Sequence, residues 1–202
     1  MAMTYVQRGL GVAVAVAAAL AGASCGDVAR TGRSPVMLVI EQLEAAAGGG
    51  TTFAGFLLSD VLTAGSTTND SGSATLSVRL KNPGSATAPL TPSTLNSVTI
   101  TRYRVRFIRA DGRNTPGVDI PYGFDGGATV TVPETGDATL VFDLVRHQNK
   151  EEPPLRNLRG GGGASIISTI AEVTFYGRDQ AGNDIEATGL IQVNFADFAD
   201  PA

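Results

Sequence analysis

Four sets of side chains in this chain have the types and spacing to do chemistry. Cys25 is the single cysteine among 202 residues and closes an apolar stretch, Gly11 to Ala23. A lone thiol there is a target for covalent modification rather than half of a disulfide. Arg102, Arg104 and Arg106 alternate with Tyr103, Val105 and Phe107. On an extended strand they would place three guanidinium groups on one face, about 7 Å apart. Such a stripe suits an anionic ligand, such as a phosphate-bearing or acidic glycan. It equally suits a solvent face whose charges pair with Asp or Glu on adjacent strands and discourage edge aggregation.

Asp179, Asn183 and Asp184 put three oxygen-bearing side chains in one turn, and Asp111 with Asn114 offers a second such turn. Calcium takes about six to eight oxygen ligands, so neither turn suffices alone, and turn chemistry explains all five residues without a metal. His147 is the only histidine. A general base needs a nucleophile beside it, and past the N-terminal segment, from residue 27 on, no G-x-S-x-G motif is present. The Gly160 to Gly163 run is followed by Ser165-Ile166-Ile167-Ser168-Thr169-Ile170. That segment is β-branched and strand-like, so the run is no phosphate-cradling loop, which needs a helix N-terminus after its glycines.

Composition narrows the field further. Fifteen basic side chains stand against nineteen acidic ones, for a net charge of −4, with no strongly basic block. Nucleic acid is therefore excluded as an expected partner. One histidine and one cysteine exclude zinc sites built from those residues. The expectation is a protein without enzymatic activity and without a cofactor, structural calcium being the one metal left open.

The N-terminus carries Arg8, then an apolar segment too short to span a bilayer, then small residues. That is the layout of an export signal over 1–24. Gly22-Ala23-Ser24-Cys25 resembles the lipobox of bacterial lipoproteins, in which the cysteine is diacylated and becomes the mature N-terminus. The resemblance implies a membrane partner held through lipid on Cys25, each buried methylene contributing ~0.8 kcal/mol. Gly26 stands where some bacteria place an inner-membrane retention aspartate, so the implied location is the outer membrane or cell surface. A second reading stays open: Ala19-Leu20-Ala21 and Ala21-Gly22-Ala23 both suit ordinary cleavage, which would release a secreted protein.

The elements that must position these groups are strands. Residues 25–34 read as a short polar tether, and from residue 35 to 202 a period of two dominates. Ala74-Leu76-Val78-Leu80, Ala128-Val130-Val132, Ala138-Leu140-Phe142-Leu144, Ile167-Ala171-Val173-Phe175 and Ile191-Val193-Phe195 each alternate with polar residues. Met37 to Ile40 is continuously apolar, as in a central strand or one covered on both faces, and Glu41 to Ala47 suits a turn or two of helix ended by Gly48 to Gly50. Turns are expected at Thr68–Gly72, Asp111–Asn114, Asp125–Gly127 and Asp179–Asp184. The charged, glycine-rich stretch from Arg146 to Gly163 reads as a mobile surface loop. The pattern gives one all-β domain, an antiparallel sandwich of about nine strands.

Phe175-Tyr176-Gly177-Arg178-Asp179-Gln180-Ala181-Gly182-Asn183, followed by an alternating strand, resembles the D-x-A-G-N hairpin of bacterial Ig-like and fibronectin-III-like modules. The segment 30–201 is also similar to uncharacterised bacterial lipoproteins with one such domain. The resemblance implies fold and location, and no activity. The functional expectation is a lipid-anchored module of the cell envelope that binds protein or glycan through end loops or a sheet face. The alternative is a structural subunit that self-assembles through an edge strand, with Gly189 to Phe195 as the participant if it lies at an edge.

Overall fold

In the computed structural model, which describes residues 32–198, the alternating segments form two sheets and a small hairpin. One sheet has three strands in the order β1 (Val36–Ala46), β3 (Asp70–Leu80), β8 (Asp137–Val145). The other has five, in the order β2 (Phe56–Asp60), β10 (Asp184–Ala196), β9 (Ile167–Asp179), β6 (Val98–Ile108), β7 (Phe124–Val132). β4 (Gly84–Ser85) and β5 (Ala88–Pro89) pair only with each other. Every pairing is antiparallel except β2 with β10, which run parallel. The chain is thus all-β and mainly antiparallel.

The alternation works as a burial code. On β9, Ala171, Val173 and Phe175 are buried; on β10, Ile191, Val193 and Phe195; on β8, Leu140, Phe142 and Leu144. Side chains from both sheets meet in one core. Phe142 of the three-stranded sheet packs against Tyr103 and Phe175 of the five-stranded one, with ring centroids 5.0 and 5.3 Å apart. Fully burying such a side chain contributes about 1.5–3 kcal/mol.

Two bulges decide which residues face out. Pairing of β6 shifts between Ile100 and Arg102. Val98 and Ile100 are buried before the shift, and Tyr103, Val105 and Phe107 after it. One inserted residue, Thr101, reverses the phase of the strand, and without it the three arginines would point into the core. A shift between Ile40 and Gln42 does the same for β1, where Leu38 and Ala45 lie inward on opposite phases.

Five expectations need correction. Asp70-Ser71-Gly72, expected in a turn, opens β3 and pairs with β8. Residues 41–46 are strand rather than helix, because the ladder from β1 to Ser71–Thr75 of β3 satisfies their main chain. β1 is an edge strand by hydrogen bonding, not a central one. Asp125-Gly126-Gly127 lies inside β7 rather than in a turn, opposite Arg102, Tyr103 and Arg104. A Cβ on Gly126 would run into the Tyr103 ring, so the glycine is there for packing. The stretch after Arg146 is a packed plug: helix α1 (His147–Glu151) and a 3-10 turn at Leu155–Leu158, with Lys150 and Leu155 fully buried.

Candidate functional site

Arg102, Arg104 and Arg106 do share the outward face of β6, and each meets a carboxylate on a neighbouring strand. Arg102 Nη1 lies 2.9 Å from Asp125 Oδ1, and Arg104 grips both oxygens of the same carboxylate at 3.1 and 3.3 Å. Arg106 reaches Glu172 of β9 at 3.4 Å. The guanidinium of Arg102 also lies 4.0 Å from the centre of the Tyr176 ring. Hydrogen bonding from Arg104, with the nearby charge of Arg102, holds the Asp125 carboxyl below its usual range. Pairing with neighbouring strands is therefore what this face does in the free protein. Two arginines nevertheless share one aspartate, which leaves an excess of positive charge.

Sequence reasoning missed a third cation at this corner. Arg146 packs its guanidinium 3.9 Å from the Phe124 ring centre and donates to the Asp125 carbonyl at 2.8 Å. The only signal available was a basic residue opening a charged stretch that reads as a loop. Beside this cluster the segment 109–123 folds back over the end of β6. Asp111 is clamped between Arg109 and Arg113, and its carboxyl lies far below the ordinary range, chiefly through the Arg109 hydrogen bond. Asn114 accepts the Arg109 N–H at 2.7 Å. Between this segment and β6 lies a groove of about 440 Å³, lined by Arg104, Arg106, Asn114, Ile120, Phe124 and others. It joins guanidinium groups to an apolar wall.

The other candidate groups are held in turns or ladders. Buried Asp179 accepts from the Asn183 main chain and side chain, both at 2.8 Å. Burial works against its charge, but these bonds, with the Ser34 hydroxyl, hold its carboxyl below the usual value. Asp184 instead pairs with Arg178 at 2.7 Å, so the three oxygen side chains do not converge on a point where calcium could sit. Among the described residues no group of three or more metal-ligating side chains gathers. His147 is exposed, and its ring nitrogen Nδ1 lies 3.0 Å from Asn69 Oδ1. Cys25 and the segment 1–24, expected to direct export, lie outside the described residues. Of Gly189 to Phe195, the part from Gln192 on lies between β9 and β2 and is not an edge, whereas Gly189–Ile191 pairs with β9 alone.

A second polar cluster was not legible at all. Asp70 and Lys150 are fully buried and 2.8 Å apart. Asp70 also accepts from Gly48 N–H at 2.8 Å and from the Ser59 hydroxyl at 2.6 Å. This one carboxylate ties together β2, β3, the turn after β1 and helix α1.

No family model matches the chain, and no curated protein does. Among solved structures it is similar to the one titled "X-ray structure of Northeast Structural Genomics Consortium target SoR45". The two are 10% identical with a TM-score of 0.37, over 80% of this chain and 86% of that one. A likeness so distant carries no argument, and what stands is an all-β domain with an arginine-rimmed groove.

Proposed function

We propose that this protein is an exported, lipid-anchored Ig-like module of the bacterial cell envelope, and that its arginine-rimmed groove binds an anionic group on an envelope protein or glycan. The observation that carries the binding reading is the groove itself, with two outward guanidinium groups beside an apolar wall. Two facing, mainly antiparallel sheets around one core support the Ig-like assignment. The placement of the groove fits a tether at Cys25. Ser34 bonds to Asp179 at one end of β9, while the groove strand, Arg104–Ile108, pairs with Thr174 to Ile170, five to nine residues back towards the other end. At 3.3 Å per residue the groove lies on the order of 25 Å from the tethered end, free to meet a partner away from the membrane.

Two measurements test the two halves. Intact mass of membrane-extracted protein should show a chain beginning at Cys25 with diacylglycerol-sized added mass, lost in Cys25→Ala; an unmodified soluble chain would make it a secreted protein. Mature protein should be retained on a polygalacturonate matrix at low salt, and Arg104→Glu should weaken that retention at least tenfold. Equal retention of the variant would end the binding reading.

A further inference from the structure

The groove touches Arg104, Val105, Arg106, Phe107 and Ile108 in unbroken succession. Side chains of consecutive strand residues point to opposite faces. Here Val105 and Phe107 are buried in the core while Arg104 and Arg106 point out. A cavity that borders all five therefore looks at the edge of the strand, where the main chain is, and not at either face.

That edge is open because β7 stops short. Its last partners are Phe124 and Val105, whereas on the opposite side β9 stays paired through Arg106, Phe107 and Ile108. Gly123 leaves the ladder there, its Cα so near β6 that a Cβ would sit 2.8 Å from the Val105 carbonyl oxygen. Pro116 and Pro121 stand on the rim. Proline has no N–H to give, so neither can donate to the vacated ladder. In an antiparallel sheet every second residue turns its N–H and C=O to a given side. The Arg106–Ile108 segment thus has main-chain capacity facing the groove and no strand beside it.

We propose that the groove takes an extended acidic segment of a protein partner, added to β6 as a short strand beside Arg106–Ile108 in the place β7 vacates. The inference rests on the binding reading above and names its partner class. Main-chain hydrogen bonds supply affinity in such strand addition, and the flanking side chains supply selectivity. Arg104 and Arg106, with side chains 45% and 63% exposed, flank the vacancy and select carboxylates. Arg106 is the more available, since its 3.4 Å contact to Glu172 is looser than the two-pronged hold of Arg104 on Asp125. A basic segment would instead bring like charges onto both guanidinium groups.

The test uses isotope-labelled mature protein and a pool of blocked nonapeptides with glutamate at alternate positions. Amide shifts should concentrate at 104–108 and 123–125, and exchange of the Phe107 amide, which by alternation from Val105 faces the groove, should slow at least tenfold. Arg106→Gln, which removes the charge without setting a second carboxylate opposite Glu172, should abolish the shifts with a nearly unchanged melting temperature. A backbone N-methylated version of the same peptides keeps every carboxylate but cannot pair, and should bind at least tenfold more weakly. Equal binding of the methylated peptides, or shifts centred elsewhere, overturns strand addition. Retention on polygalacturonate with no peptide binding overturns it too, while leaving the anionic-ligand reading intact. Binding to neither overturns both.

Discussion

Two ion pairs of nearly the same length do opposite work in this molecule. Lys150 and Asp70 meet at 2.8 Å with side chains 1% and 0% exposed, whereas Arg104 and Asp125 meet at 3.1 Å with 45% and 43% exposed. In the interior each charge has lost its water, and the pair is tolerable only because Gly48 and Ser59 fill the remaining acceptor sites of Asp70. At the surface, water screens the attraction and stands ready to replace either partner. The interior pair therefore fixes where four segments of chain meet. The surface pairs hold arginines extended over the sheet yet leave them exchangeable. Distance alone does not distinguish a structural charge from an available one; the surroundings do.

Removing one side of each pair should separate them most sharply. Lys150→Met leaves Asp70 buried without its cation and should cost roughly 3–5 kcal/mol of stability, read from urea denaturation. A loss under about 1 kcal/mol, the scale of exposed pairs, would erase the distinction drawn here. Ser59→Ala keeps the cation and removes only the hydroxyl, which donates at 2.6 Å. Its expected cost is smaller, about 1–3 kcal/mol, the penalty for one unsatisfied acceptor in a dry site. A Ser59→Ala loss equal to that of Lys150→Met would mean that packing, rather than charge, dominates the cluster.

The same contrast explains what could be read from the sequence. The strands were legible because burial of one face imposes a period of two, and the arginines were legible as one face because 102–106 lie on one side of a bulge. The bulge at Thr101 left no mark, since a one-residue insertion changes only the phase between two segments that each alternate correctly. Gly126 looked like a turn because its role depends on the Tyr103 ring across the ladder. Lys150 looked like a surface charge in a mobile loop. Its partner is 80 residues away in the chain, and nothing local distinguishes a lysine that finds a buried carboxylate from one that does not. The groove was hidden for a related reason, being made where β7 ends rather than by any residue type.

Truncation at the surface should have a small effect on the fold. Arg104→Ala should change stability by less than about 1 kcal/mol, with the melting temperature nearly unmoved, while retention on an acidic matrix falls. A destabilisation comparable to Lys150→Met would mark the arginine face as structural and remove the case for a binding surface there.

Acid pH gives the finest test of exchangeability. The folded-state pKa of Asp125 lies below that of an ordinary aspartate, chiefly because of Arg104. Its contribution to stability is present above about pH 4, near the unfolded value, and is lost as pH falls through the folded one. Protonation there also releases the guanidinium groups of Arg102 and Arg104 from their shared partner. Dextran sulfate stays ionised under those conditions, so retention of the mature protein on it should strengthen as pH drops below about 4, ahead of acid unfolding. In Asp125→Asn the arginines have no carboxylate there to lose, so retention should already be stronger at pH 7, and its advantage over the parent should shrink as pH falls and the remaining carboxylates protonate in both. An Asp125→Asn profile that follows the parent curve would mean that some other carboxylate controls access to the groove.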